Sequence, residues 1–180
     1  MCGLLAAGWL VMTTTHELGH VLFGWLSGAT LVELKLWGLP HSFYEPDPSP
    51  AWTLWGGPVV GVVVPVVVAV GVSGLARLRA RRGVEVVGTA SPWRRAQKPV
   101  WFVADFCVLS NGVYLALAWV SGNPTLDTAR LLDAGVHPGW IAAYCVATIG
   151  AGYVWFRRDV AAVLRPKPDD SPRPSAETHT

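Results

Sequence analysis

The segment His16-Glu17-Leu18-Gly19-His20 carries residue types and a spacing that suit metal chemistry. Histidines at i and i+4 lie about 40° apart around an α-helix, so both imidazoles can reach one ion from the same face. Two imidazoles favour zinc, and Glu17 stands where it could take a proton from a zinc-bound water, whose pKa is near ~7 in known enzymes. The pattern predicts one Zn²⁺ ion bound by His16 and His20, with Glu17 as the catalytic base.

A third protein ligand must come from elsewhere in the chain, because two histidines do not complete a zinc site. Asp127 follows a long apolar run and lies in a turn-prone segment that could fold back towards the metal. Asp105 lies inside that same run and is the alternative. His41 and His137 fall in predicted loops, where a histidine is usually solvated. The residue types alone leave the choice between Asp127 and Asp105 open.

Long apolar runs must position these residues. Of the 180 residues, 52% are hydrophobic and only 14% are charged, whereas a soluble domain has a charged fraction of about 25%. Four runs approach the roughly 20 residues that a membrane-spanning helix needs: Gly3–Ser27, Leu54–Leu75, Val100–Val120 and Trp140–Phe156. Because lipid cannot satisfy free backbone groups, each run should be helical. We expect an all-α membrane protein with about four transmembrane helices. His16, Glu17 and His20 would lie within one of these spans, where titratable side chains are costly unless they are paired or functional.

The segments between the runs complete the predicted organisation. Apolar and charged residues alternate over 31–37, which predicts a short β segment at the membrane surface. The turn-rich residues 39–41 and 45–50 predict loops. Residues 1–164 should form one membrane-embedded domain, and the tail 165–180, rich in Pro, Ser and charge, should be disordered.

Several motifs together resemble those of the site-2 proteases, a family of intramembrane zinc metalloproteases. They are His16 to His20 on the first membrane helix, Gly57-Pro58 opening the next, and Asn111 with Asn123-Pro124-x-Leu126-Asp127 after the third. In that family the histidine pair and the aspartate of a Leu-Asp-Gly motif bind zinc, and the glutamate activates water for peptide hydrolysis. The resemblance, from about Thr15 to Leu132, implies that His16, His20 and Asp127 are the metal ligands and Glu17 the base.

The second motif departs from the family pattern. Thr128 stands where the family has glycine, and Thr125 stands in a stretch that is usually richer in proline. Because of these departures, the third metal ligand could be Asp127, Asp105 or a residue of a partner protein. They also leave open a catalytically silent metal-binding membrane protein that binds or escorts membrane partners, while the lack of repeated halves disfavours a transporter.

Orientation and partners follow from charge and from the resemblance. The predicted loop from Ala76 to Pro99 is rich in arginine, which places that loop in the cytoplasm by the positive-inside rule. The resemblance instead places the catalytic end on the cytoplasmic side, and the two expectations conflict. We expect a multi-pass protein of the cell (plasma) membrane that acts on a transmembrane protein substrate within the lipid bilayer. A regulatory membrane partner is a further expectation, and nucleic acid is not.

Overall fold

In a computed structural model of the protein, the described residues are 2–35, 41–82 and 92–164. Their elements in chain order are α1 (Cys2–Ser27), β1 (Leu31–Lys35), β2 (His41–Tyr44), α2 (Pro50–Arg81), α3 (Pro92–Ser121), α4 (Asp127–Asp133) and α5 (Pro138–Leu164). The predicted disordered tail, 165–180, lies outside the described residues.

Three helices are long and apolar enough to cross a membrane, over Pro50–Arg81, Arg95–Ser121 and Pro138–Ala161. They contain three of the four predicted apolar runs. Helix α1 covers the remaining run, but the polar side chains of His16, Glu17 and His20 interrupt its apolar sequence. The predicted helical architecture is therefore found, with three candidate membrane spans in the described part of the chain rather than four.

Helices extend into both ends of the predicted loop over Ala76–Pro99, which corrects that prediction for residues 76–81 and 92–99; residues 83–91 lie outside the described part of the chain. Arg79 and Arg81 belong to the last turn of α2, and Arg95 and Lys98 belong to the first turns of α3. Helix α2 has 32 residues, about 48 Å at the helical rise, and so exceeds a hydrocarbon core of about 30 Å. Its basic end therefore has the length to extend past the apolar layer.

A two-stranded antiparallel hairpin follows α1. The predicted β segment is present as β1, whose residues are all exposed. The predicted loops are wrong at His41, which begins β2, and at Pro50, which begins α2. Strand β2 pairs with β1 through Lys35 with His41 and Leu34 with Ser42. On β2, Ser42 and Tyr44 are buried, and Tyr44 packs on Gly24 of α1. The hairpin is thereby fixed against the end of α1 that carries His20.

Small residues allow the long helices to pack at close range, as they do in helix bundles of membrane proteins. A Cβ atom added to Gly19 of α1 would collide with the backbone of Gly56 on α2, and the reverse is also true. Gly112 of α3 packs in the same way against Thr148 of α5. Close contact between α1 and α2 brings the histidine-bearing face of α1 directly onto the start of α2.

Helix α4 is held beneath the end of α3, where the sequence predicted only a turn. Leu131 is fully buried in a cluster with Leu54, Leu115 and Ile141, and the Thr128 hydroxyl donates a hydrogen bond to the Leu115 carbonyl oxygen at 2.7 Å. These contacts place the first residue of α4, Asp127, over the bundle interior.

Candidate metal centre

Three buried side chains from α1 and α4 converge on one point. Asp127 Oδ2 lies 2.9 Å from His16 Nε2 and 3.3 Å from His20 Nε2. The two Nε2 atoms are 3.2 Å apart. All three side chains are buried, although Asp127 is more than one hundred residues from either histidine in the chain.

The spacing of these donor atoms suits a metal ion. Two ligands at about 2.0–2.1 Å from a tetrahedral zinc ion are about 3.3 Å apart, close to the 2.9–3.3 Å observed. Three such donors occupy one face of the tetrahedron and leave its fourth corner to water or substrate. This buried group of His16, His20 and Asp127 could therefore bind a metal ion.

Hydrogen bonds on the far side of each ring fix which nitrogen is available. His20 Nδ1 lies 3.0 Å from the Thr53 carbonyl oxygen, which can only accept, so Nδ1 must donate. Asn111 Nδ2 donates to the Cys107 carbonyl oxygen at 2.9 Å, which turns Asn111 Oδ1 towards His16 Nδ1 at 2.8 Å. These contacts leave Nε2 of each ring facing the same point, and a histidine that binds a metal through Nε2 is oriented by such a bond at Nδ1.

Helix α2 passes close to the two histidines and presents glycines to them, so that no side chain of α2 intervenes. A Cβ atom added to Gly57 would meet the Nε2 atoms of both His20 and His16. A Cβ atom added to Gly61, one turn further, would meet the Asn111 amide. The two glycines therefore leave the space that the imidazoles and their amide partner occupy.

Asp127 has the ionisation expected of a ligand. Burial by itself raises the pKa of this carboxyl, but the nearby His20 and His16 outweigh burial and hold its pKa well below the ordinary range. The group is thus a carboxylate at neutral pH, and a carboxylate is the form that binds a cation.

Glu17 is buried beside the three donors without belonging to them. Its Oε2 atom has no hydrogen-bond partner among residues 2–35, 41–82 and 92–164, and Ser42 of β2 lies close to its carboxyl. An unpartnered buried carboxylate oxygen is costly. Glu17 is therefore positioned to take a proton from a molecule bound at the centre.

A cavity of about 470 Å³ opens from this carboxylate to the outside. Its walls come from α1, β2, α3, α4 and the segment before α4, and the lining residues are Glu17, His20, His41, Ser42, Phe43, Tyr114, Pro124, Thr125, Leu126, Asp127 and Arg130. The predicted base and two of the predicted ligands thus share one accessible space.

The alternative ligand Asp105 lies elsewhere. It is buried on α3, with Asp159 of α5 as its nearest charged influence, and it is six residues, or about 9 Å of helix, from Asn111. It forms no ion pair with Lys98 in the described segments. The structure therefore brings Asp127, and not Asp105, to the two histidines.

Four residues at the site had no role in the sequence prediction: Ser42, Thr53, Tyr114 and Arg130. The Tyr114 ring packs edge-on against the His16 ring at 5.3 Å between centroids. Its position three residues after Asn111 places both on one helix face, a signal that the sequence offered. Thr53 contributes a backbone carbonyl, for which no residue type is diagnostic.

Comparison of the chain with family models, with curated proteins and with solved structures finds no match. The resemblance to site-2 proteases therefore rests on the quoted motifs, and the function implied by it is a proposal.

Proposed function

We propose that this chain is an intramembrane zinc metalloendopeptidase of the site-2 protease type, which hydrolyses peptide bonds of membrane-embedded or membrane-proximal protein substrates. The observation that carries the proposal is the buried set of His16, His20 and Asp127 beside Glu17, whose Oε2 atom is unpartnered among the described residues, in an accessible cavity. Three protein ligands and a free carboxylate are the components of hydrolytic zinc sites.

In this proposal His16, His20 and Asp127 hold the ion, and each of the chain's other polar groups has a separate task. Bound zinc supplies a Lewis acid and a water of lowered pKa. Asn111 and the Thr53 carbonyl keep the two imidazoles in the orientation that exposes Nε2. Glu17 accepts the proton of the attacking water and returns it to the leaving nitrogen.

Helix α1 serves as the fourth membrane span in this proposal. Its polar residues face the bundle interior, since His16, Glu17 and His20 are all buried. Its outward face carries exposed apolar side chains, among them Leu10 and Leu18. Intramembrane ionisable groups face the interior in this way, and we place the protein in the cell membrane as a multi-pass protein.

The substrate must reach the centre in extended form, because a helix hides its backbone carbonyls. The hairpin offers a surface for such a chain, since every residue of β1 is exposed to some extent and β2 lines the cavity. An extended substrate segment added to the sheet edge would run beside Glu17.

The test is zinc content of detergent-purified protein, followed by cleavage of a membrane-anchored substrate. We expect about one equivalent of zinc in the wild type and loss of zinc in both His16→Ala and Asp127→Ala. Glu17→Gln should keep the ion and lose cleavage by at least ~100-fold, because a general base contributes on this scale.

Two outcomes would decide against the protease. A wild-type protein that takes up no metal even after reconstitution has no hydrolytic centre. A metal-loaded Glu17→Gln protein with full biological function would instead support the catalytically silent protein that binds membrane partners.

A further inference from the structure

One cation faces the candidate site from α4. Arg130 lines the same cavity as Glu17, His20 and Asp127, and its side chain is half-buried. The same cavity is lined by Phe43 of β2 and Tyr114 of α3, so Arg130 shares it with two other walls. A positive group therefore stands within reach of whatever occupies this space.

The charge of Arg130 has no acidic partner among residues 2–35, 41–82 and 92–164. Asp127, three residues earlier, directs Oδ2 to the two histidines, and Asp133, one turn later, is exposed. A half-buried guanidinium is costly without an anion, and its five donors in a planar fork match a carboxylate.

We propose that Arg130 binds a carboxylate of the peptide substrate, either an acidic side chain or a C-terminal carboxylate. This inference rests on the proposed function for the identity of the ligand as a peptide. Arg130 would attract a substrate carboxylate to the α4 side of the cavity that it shares with Glu17 and Asp127. The apolar side chains of Phe43 and Leu126 in the same wall favour an apolar residue beside the acidic one.

The phosphate of an anionic lipid is the competing ligand for an arginine. The arginines best placed for lipid are at the other end of the long helices, on the last turn of α2 and the first turns of α3. Arg130 instead shares its cavity with the candidate base. Its position therefore favours the peptide.

The experiment measures peptide binding by fluorescence anisotropy, with Glu17→Gln as the parent so that no cleavage occurs. The probes are short apolar peptides in matched pairs: one Glu against Gln with an amidated end, and a free C-terminus against an amide. Adding Arg130→Gln should weaken binding of the carboxylate peptides roughly 10- to 100-fold and leave the neutral peptides unchanged, because a charged hydrogen-bond pair contributes on this scale. Arg130→Lys should recover part of the affinity. The peptide pair whose difference in affinity disappears in Arg130→Gln shows whether the bound carboxylate is an acidic side chain or a C-terminus.

Arg95→Gln in the same parent is the matched control, because it removes one exposed positive charge from the first turns of α3; it should change nothing. Equal weakening of charged and neutral peptides by Arg130→Gln, no weakening, or no peptide binding at all would overturn the proposal. An effect of Arg130→Gln confined to nanodiscs that contain anionic phospholipid, and absent in zwitterionic ones, would assign the arginine to lipid. If binding depends on Arg130 but the wild type cleaves no substrate, the carboxylate site stands and the protease is rejected. If the wild type cleaves substrate without a preference for carboxylate peptides, the protease stands and the carboxylate site is rejected.

Discussion

Asn111 joins helix α3 to a candidate metal ligand on α1 through its bond to His16 Nδ1. Its other amide atom is held by the Cys107 carbonyl, so the residue cannot turn without losing a bond. Among membrane asparagines, bonding between helices is the common role. Here the same bond also decides which nitrogen of His16 faces the centre.

Replacement of Asn111 by leucine should therefore weaken zinc binding about 10- to 100-fold, the usual effect of losing a partner that orients a ligand. Competition against a chelator with known zinc affinity would measure the change. Asn111→Asp keeps an acceptor at this position and should retain most of the affinity. Equal affinities for the leucine variant and the wild type would show that His16 needs no such support.

Gly57 is a second position at which the candidate centre tolerates only one residue type, because there is no room for a side chain. A methyl group there would press on both imidazoles, so Gly57→Ala should lose metal binding while the helices persist. Gly74→Ala on the same helix is the matched control, because a Cβ atom at Gly74 meets nothing within 4 Å. Zinc analysis with far-UV circular dichroism would separate the two effects, and a zinc-replete Gly57→Ala protein would contradict the assignment of the centre.

At the scale of elements, the hairpin is the part on which substrate binding should depend. A proline removes a backbone donor from a strand edge, so Val32→Pro and Leu34→Pro should each lower cleavage of a membrane-anchored substrate, by about tenfold or more if strand addition supplies several hydrogen bonds. Val32 has no partner in β2 whereas Leu34 pairs with Ser42, so Val32→Pro disturbs the hairpin less. Metal content should not change. Unaltered cleavage in both variants would exclude strand addition.

The elements also show what the sequence could and could not predict. The pair His16 and His20 is a local pattern, so its shared face could be read directly from the spacing. Asp127 joins them from more than one hundred residues away, through packing of α4 that no local pattern encodes. Residue types alone therefore left Asp105 open, and only the family resemblance favoured Asp127.

Element boundaries were missed for a different reason. The length of an apolar run indicates only the part of a helix that would cross the hydrocarbon layer. Arginine and lysine favour helix, so α2 and α3 continue past the ends of their apolar runs. Strand β2 has 4 residues and α4 has 7, too few to show a period. Thr128 departs from the motif of the resembled family, yet its hydroxyl anchors α4 to α3, so the departure is compatible with a well-placed Asp127.

At the scale of the whole molecule, the site and the basic residues of α2 and α3 lie at opposite ends of the long helices. Helix α2 begins at Pro50, next to the Thr53 carbonyl that holds His20, and ends at Arg81. If these helices span the membrane, the hairpin and the arginines face opposite compartments. The charge rule then places the arginines in the cytoplasm, and the resemblance places the hairpin there.

Cysteine labelling would decide between these two orientations. In a protein without its native cysteines, Ser49→Cys and Arg82→Cys introduce single thiols at exposed positions near the two ends of α2. An impermeant maleimide added to intact cells should label only one of them, and the charge rule predicts Ser49→Cys. Labelling of Arg82→Cys alone would support the orientation implied by the resemblance, and labelling of both from one side would reject α2 as a span.

The backbone contact between Gly19 and Gly56 leaves no seam between α1 and α2 through which a polypeptide could pass. The opposite rim of the cavity consists of β2 and the segment from Pro124 to Leu126, neither of which belongs to a long helix. Entry and exit would then take place at this rim while the bundle stays closed. In the proposed protease, we expect movement of this rim to govern how fast products leave, as in enzymes whose loops gate the release of product.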